Sequence, residues 1–262
     1  MFRLEARTNT TNQSHQRKTL TRSSSWSERP SSVSSDASGS RSAALTVRSA
    51  TSVAWSGRRP VEWLFEHFGV DTRWCLIHAT HMTGAETNTM ARSGCVAGLC
   101  PTTEANLGDG FFNAVEYLAD QGRWAIGSDS HISIDPVEEL RWLEYGVRLS
   151  TRNRNVLVSE QQRHAGRYLF DGAVSGGAQA CGRKLGRIEA GYRADFVVLD
   201  TEHPRLYGRS EDSLIDSWIF SGNDNLVRDV YVGGRKVVDN GHHADEERIA
   251  ANYRTTLDAL AE

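Results

Sequence analysis

Apolar and polar positions alternate in blocks between residues 60 and 151, and the blocks predict helices and strands in turn. Nearly continuous apolar runs predict strands with both faces buried, in RWCLIHAT, CVAGLC and RWAIGSDSH. Helical periodicity predicts amphipathic helices in VEWLFEHF, TGAETNTMARSG, GFFNAVEYLADQG and DPVEELRWLEYGVRLSTR. Strand and helix recur about every 25 residues, which is the rhythm of a parallel α/β sheet or barrel.

Several helix ends are marked by residues that satisfy free backbone groups. Thr83 followed three positions later by Glu86 forms a predicted capping box. Asp135 is a predicted N-cap with Pro136 at the first helical position. Gly122 is predicted to close the helix before the third strand. PTTEAN, after the second strand, is predicted to be a polar loop.

The pattern changes after residue 160. EQQRHAGRYLFDGAVSGGAQACG predicts one or two helices interrupted by small residues. LGRIEAGYRADFVVLD and LVRDVYVGGRKVVDNG predict short antiparallel strands separated by glycine. We therefore divide the chain into an α/β part over 51–180, a small β-unit over 181–244 and an exposed C-terminal helix over 245–262.

Residues 1–50 differ in composition from the rest of the chain. They contain 19 serines and threonines, with arginine but hardly any acid, and they lack a period of 2 or 3.6. Such a segment buries too little apolar surface to offset the entropy of ordering it, so it is predicted to be disordered. It is a linker or tail, an organelle transit peptide, or a leader translated in the wrong frame.

Charge and cysteine content narrow the class of protein. The 30 basic and 33 acidic side chains give a formal net charge of −3, which favours neither nucleic acid nor a membrane as partner. The arginines of the leader are diluted by serine, which disfavours a nucleic-acid arm. The four cysteines lack framework spacing and are predicted to be reduced thiols of a cytoplasmic protein. A small-molecule substrate is the expected partner.

An acidic or imidazole side chain follows each of the three predicted strands. His78 follows the first, Glu104 and Asn106 the second, and Asp129 and His131 the third. The carboxyl ends of parallel strands share one edge, and such groups suit metal binding and proton transfer. Each residue also has a structural interpretation: a buried core histidine for His78, a turn cap for Asp129, and loop hydrogen bonding for the others.

These motifs resemble the amidohydrolase superfamily of metal-dependent (β/α)8 barrels. GRIEAGYRADFVVLD and VRDVYVGGRKVVDNG are similar to its closing β-unit. A narrower resemblance, to the bacterial formimidoylglutamate deiminases, covers residues 54 to about 258. It rests on AWSGRRPVEWL, DTRWCLIHATHMT, GLCPTTEANLGDG, RWAIGSDSHIS and EELRWLEYGVRL.

The resemblance implies roles for individual residues. Asp129 matches the strand-eight aspartate that binds zinc and takes a proton from the metal-bound water, and His78 matches the strand-six histidine that acts as acid or base. The resemblance assigns no substrate-binding residue, and Glu104, Asn106 and His131 are candidates only by their place after the predicted strands. The implied reaction is hydrolysis of N-formimidoyl-L-glutamate to N-formyl-L-glutamate and ammonia.

The sequence departs from this family in its metal ligands. The family has a His-x-His pair on the first barrel strand and a zinc histidine on the fifth, which would fall close to residue 41. The chain has no His-x-His, and RSAALTVRSA occupies residues 41–50. The resemblance therefore implies the C-terminal part of a barrel and of its small β-domain, which we expect to bind zinc poorly and to leave RWCLIHAT as an exposed edge strand. A guanine-deaminase-like enzyme and a non-enzymatic remnant are the alternatives.

Overall fold

A five-stranded sheet and the helices beside it build the first part of the molecule. The computed structural model describes residues 34–35, 41–44 and 49–261. Strands β2 to β5 run parallel in chain order, and β1 pairs antiparallel with β2. The strands are β1 (Ser34–Ser35), β2 (Arg41–Ala44), β3 (Trp74–Ile77), β4 (Val96–Leu99) and β5 (Arg123–Ile126).

Helices connect these strands, as the alternation of the sequence predicts. They are α1 (Ser49–Ser56), α2 (Pro60–His67), α3 (Gly84–Arg92), α4 (Pro101–Leu107), α5 (Ala114–Ala119) and α6 (Pro136–Thr151). Both predicted N-caps are confirmed. The Thr83 hydroxyl accepts a bond from the Glu86 amide, Glu86 accepts one from the Thr83 amide, and Asp135 accepts one from the Val137 amide.

Six residues of the leader form strands, which corrects the prediction of disorder for them. They are Ser34–Ser35 and Arg41–Ala44, and β2 pairs with β3 from Arg41 opposite Trp74 to Ala44 opposite Ile77. The prediction that RWCLIHAT lacks a neighbouring strand is therefore wrong. Residues 49–50 of the same segment begin a helix, Ser49–Ser56, which also corrects the prediction. The rest of the predicted disordered segment lies outside the described residues.

Two local predictions on the helices are corrected. The segment after β4 is the helix α4, because Pro101 suits its first turn and Gly108 ends it in left-handed backbone at φ 71°. After α5, Gln121 rather than Gly122 takes the left-handed conformation. Gly122 is needed for a different reason, since a Cβ there would lie 2.3 Å from the Tyr117 ring.

The second part of the chain packs helices beside a small antiparallel sheet. A single helix, α7 (Ala165–Ala180), forms where one or two helices were predicted. The helix α8 (Glu211–Phe220) lies within the predicted β-unit and was not predicted. The antiparallel strands are confirmed in the order β6 (Phe196–Leu199), β7 (Val227–Val232), β8 (Arg235–Asp239) and β9 (His242–His243).

The core lies between the parallel sheet and its helices. Trp74, Leu76, Leu99, Tyr117 and Leu169 are almost completely buried there. The last helix, α9 (Glu246–Ala261), has no buried residue, in agreement with the predicted exposed helix. None of the helices in the described part of the chain combines the length and apolar character needed to cross a bilayer.

Candidate active site

The residues that follow β3 and β5 have an unusual backbone. His78 has φ 66°, Ala79 has φ 51° and Asp129 has φ 48°, all in the left-handed region that non-glycine residues rarely adopt. The His78 amide still donates to the Gly98 carbonyl at 2.8 Å, so the bend begins where the sheet ends. Such conformations cost on the order of 1–3 kcal/mol each and concentrate at functional sites.

This backbone brings His78, Glu104 and Asp129 together at one edge of the sheet. His78 Nδ1 lies 3.2 Å from Glu104 Oε1, and His78 Nε2 lies 3.9 Å from Asp129 Oδ2. His78 and Glu104 are buried, whereas 47% of the Asp129 side chain is exposed. The imidazole therefore lies between a buried carboxylate and a carboxylate that solvent reaches.

The surroundings of His78 favour its charged form. The hydrogen bond with Glu104 raises the pKa of His78, burial opposes this, and the charges of Glu104 and Asp129 add to the increase. With Nδ1 held by Glu104, Nε2 is the nitrogen that faces Asp129. This arrangement can hold a proton at Nδ1 and exchange a second proton at Nε2.

Side chains in the first turn of α4 set the positions of both carboxylates that lie beside His78. Thr103 donates its hydroxyl to the Ser128 carbonyl at 2.8 Å and accepts a bond from the His131 amide at 3.1 Å, so it holds the loop that contains Asp129. Glu104 accepts a bond from the Cys100 amide at 2.9 Å and contacts His78. One helical turn thus sets the position of Asp129 relative to His78.

A buried carboxylate on α6 anchors that turn. Glu139 is 1% exposed and accepts bonds from the Thr102 amide, at 2.9 Å, and from the Thr102 hydroxyl. Burial raises the pKa of Glu139, and the bonds from Thr102 oppose the increase. Sequence analysis missed Glu139, Thr102 and Thr103 as contributors to the site. The Thr-Thr-Glu run directly after Pro101 was the available signal, because such residues bind backbone groups at helix starts.

The other predicted candidates, Asn106 and His131, lie outside the cluster of His78, Glu104 and Asp129. Asn106 is exposed on the last turn of α4. The His131 ring contacts the Ser133 hydroxyl, with Nδ1 and Oγ 2.8 Å apart, in the loop after β5. Their proposed role in substrate binding stays a prediction.

The donors around Asp129 do not complete a metal site. A catalytic zinc takes about three protein ligands. In the described residues, the one group of three ligating side chains with donor atoms close enough for a metal ion is His78, Cys100 and Glu104, and it does not include Asp129. Asp129 is thus a lone carboxylate at this edge of the sheet, with an imidazole nitrogen 3.9 Å away.

Comparisons with known proteins identify the family. Residues 44–237 match the model of the amidohydrolase family. The chain is 56% identical over 207 residues to the formimidoylglutamate deiminase of Pseudomonas aeruginosa, which covers 79% of this chain and 46% of that enzyme. The match confirms the resemblance seen in the sequence.

Solved structures give the same result. An amidohydrolase from Brucella melitensis superposes with a TM-score of 0.79 and 46% identity, covering 84% of this chain and 49% of that chain. An adenosine deaminase from Xanthomonas campestris with bound zinc gives 0.71 and 25%, covering 81% and 48%. The chain spans about half the length of the relatives it matches. With a family model that covers most of its described residues and the same fold in solved relatives, this chain belongs to the amidohydrolase family.

Proposed function

We propose that the chain contributes the C-terminal part of the active site of a formimidoylglutamate deiminase. The observation that carries the proposal is the 56% identity over 207 residues with the Pseudomonas aeruginosa enzyme. In the reaction, water adds to the formimino carbon of N-formimidoyl-L-glutamate and the bond from that carbon to the terminal nitrogen breaks. The products are N-formyl-L-glutamate and ammonia. This reaction belongs to histidine degradation. The four cysteines are free thiols, which are typical of cytoplasmic proteins, so the cytoplasm is the proposed location.

Within this reaction we assign proton transfer to His78 and Asp129. Asp129 takes a proton from the attacking water, which its exposed carboxylate can approach. His78 delivers a proton from Nε2 to the departing ammonia, because Glu104 stabilises the protonated ring. Glu104 is a positioning residue that acts through His78.

We further propose that β2 to β5 are the last four strands of a (β/α)8 barrel, and that the metal of the complete enzyme is zinc. Zinc is supported by the Xanthomonas campestris adenosine deaminase, whose structure holds it. Asp129 is the ligand that this chain supplies. The remaining ligands must come from outside the described residues, because no cluster of metal-ligating side chains found there includes Asp129.

A chimera tests the proposal. Residues 54–258 replace the matching half of the Pseudomonas aeruginosa enzyme, and ammonia release from N-formimidoyl-L-glutamate is measured. We expect turnover at an ordinary enzymatic rate, on the order of 1–10³ per second. We expect Asp129→Asn to abolish turnover, and His78→Ala to lower it by about 10²–10⁴-fold while the metal stays bound.

The matched control is Asp171→Asn, which removes a half-exposed carboxylate paired with Arg167 on α7. It should leave turnover unchanged. Guanine and adenosine are assayed in parallel. A folded chimera that deaminates either purine, but not N-formimidoyl-L-glutamate, would contradict the proposal.

A further inference from the structure

Three buried side chains with metal-ligating atoms converge beneath the edge of the sheet. They are His78 after β3, Cys100 after β4 and Glu104 on α4, and each is 5% exposed. One ligating atom from each lies within 4.8 Å of the other two. The cysteines had no recognisable spacing in the sequence, so only the pairing of β3 with β4 reveals this group.

The spacing of two of these donors already suits a metal ion. Tetrahedral zinc binds imidazole nitrogen and carboxylate oxygen at about 2.0–2.2 Å, which places the two donors about 3.3 Å apart. His78 Nδ1 and Glu104 Oε1 are 3.2 Å apart. A thiolate at about 2.3 Å from zinc lies about 3.5 Å from the nitrogen. The Cys100 sulfur lies within 4.8 Å of the nitrogen, so it needs to shift by at most about 1.3 Å.

The electrostatic environment favours a cation at this position. Burial raises the pKa of the Cys100 thiol, and the charges of Glu104, Asp129 and Glu139 raise it further. The same three carboxylates attract a divalent cation. A metal ion that binds here displaces two protons to the buffer, the thiol proton of Cys100 and the Nδ1 proton of His78. An S–H bond and an N–H bond are thus exchanged for a metal–sulfur bond and a metal–nitrogen bond, with no redox change.

We propose that Cys100, His78 and Glu104 form a second metal site, selective for a thiophilic divalent cation such as Zn²⁺, Cd²⁺ or Co²⁺. A thiolate, an imidazole and a carboxylate form a ligand set that these ions accept and that Mg²⁺ and Ca²⁺ do not favour. The site does not include Asp129, so it is distinct from the metal position proposed for the deiminase. It shares His78 and Glu104 with the proposed proton donor, so an ion bound here excludes proton transfer by His78.

The test is a titration of the full chain 1–262, reduced and metal-free, with Co²⁺. We expect one ion to bind, with thiolate-to-cobalt absorption in the near ultraviolet and release of the thiol proton. Cys100→Ser should remove this absorption and weaken binding at least about tenfold, since losing even an outer-shell partner costs about 10–100-fold. Cys100→Ala gives a second measure should the serine variant fold poorly.

Matched controls separate this site from other thiols and from the proposed deiminase metal. Cys75→Ser removes another buried thiol and Cys181→Ser an exposed one, and both should keep the absorption. Asp129→Asn should keep it as well. Absorption that survives Cys100→Ser, or that disappears with Asp129→Asn while Cys100→Ser keeps full affinity, overturns the proposal. Ammonia release by the chimera tests the deiminase separately, so the two proposals can fail independently.

Discussion

At the scale of single residues, one hydrogen bond decides the state of the candidate acid. Glu104 contacts Nδ1 of His78 in a buried setting, and this bond is the main reason that the pKa of His78 is raised. Because the folded pKa lies above the unfolded value of about 6.5, the stabilisation is fully present below about pH 6.5. It is lost as the pH rises through the folded pKa.

We therefore predict that Glu104→Gln lowers the pKa of His78 in the metal-free chain. The stability lost in the variant should be largest below about pH 6.5 and should shrink as the pH rises. NMR titration of the histidine ring measures the first effect, and urea unfolding at a series of pH values measures the second. Glu160→Gln, an exposed carboxylate, should change neither. A difference in stability that grows with pH would show that the charged pair does not form.

At the scale of elements, α7 packs closely against β5, the strand that leads to Asp129. A Cβ at Gly176 would lie 1.8 Å from the Trp124 carbonyl oxygen and 2.5 Å from its carbonyl carbon. Backbone atoms of a paired strand cannot move aside as a flexible side chain can. The glycine therefore sets the distance between α7 and the strand that leads to Asp129.

We predict that Gly176→Ala destabilises the chain by about 1–3 kcal/mol or more, because overpacking forces the helix off the sheet. Gly84→Ala is the matched control, since a Cβ there meets no atom within 4 Å and the residue is the first of α3. It should be neutral or stabilising by up to about 1 kcal/mol. Thermal unfolding of both variants measures the contrast. Equal melting temperatures would mean that α7 does not approach β5 this closely.

At the scale of the whole molecule, the ligand set determines what the chain can do by itself. The 262 residues contain nine histidines and no His-x-His, and no histidine lies between His15 and His67. β2, which pairs with β3 where the fifth barrel strand is expected, lies in that interval. The candidate site therefore places an imidazole beside a carboxylate, and the described residues do not complete a set of zinc ligands at Asp129.

We predict that the purified chain 1–262 with added zinc releases little or no ammonia from N-formimidoyl-L-glutamate. Adding the N-terminal half of the Pseudomonas aeruginosa enzyme in trans should raise the rate, because that half is the part of the relative that this chain does not match. A coupled ammonia assay with and without the added half measures the difference. Turnover by the chain alone at on the order of 1–10³ per second would falsify this interpretation of the ligands.

The sequence by itself determined the features that depend on near neighbours in the chain. The βα alternation, the caps at Thr83 and Asp135, and the polar residues at the strand ends follow from periodicity and from bonds within three residues. Parallel strands then bring their carboxyl ends to one edge, so the proximity of His78 and Asp129 was also predictable.

Only the tertiary structure decided the features that depend on distant partners. PTTEAN is a helix because Glu139, 37 residues beyond Thr102, binds its first turn. Arg41–Ala44 is a strand because β3 pairs with it, although its composition predicted disorder. Cys100 joins His78 and Glu104 because β3 and β4 are adjacent. Burial and strand pairing with distant residues stabilise these features. The local periodicity of the sequence does not reveal such partners.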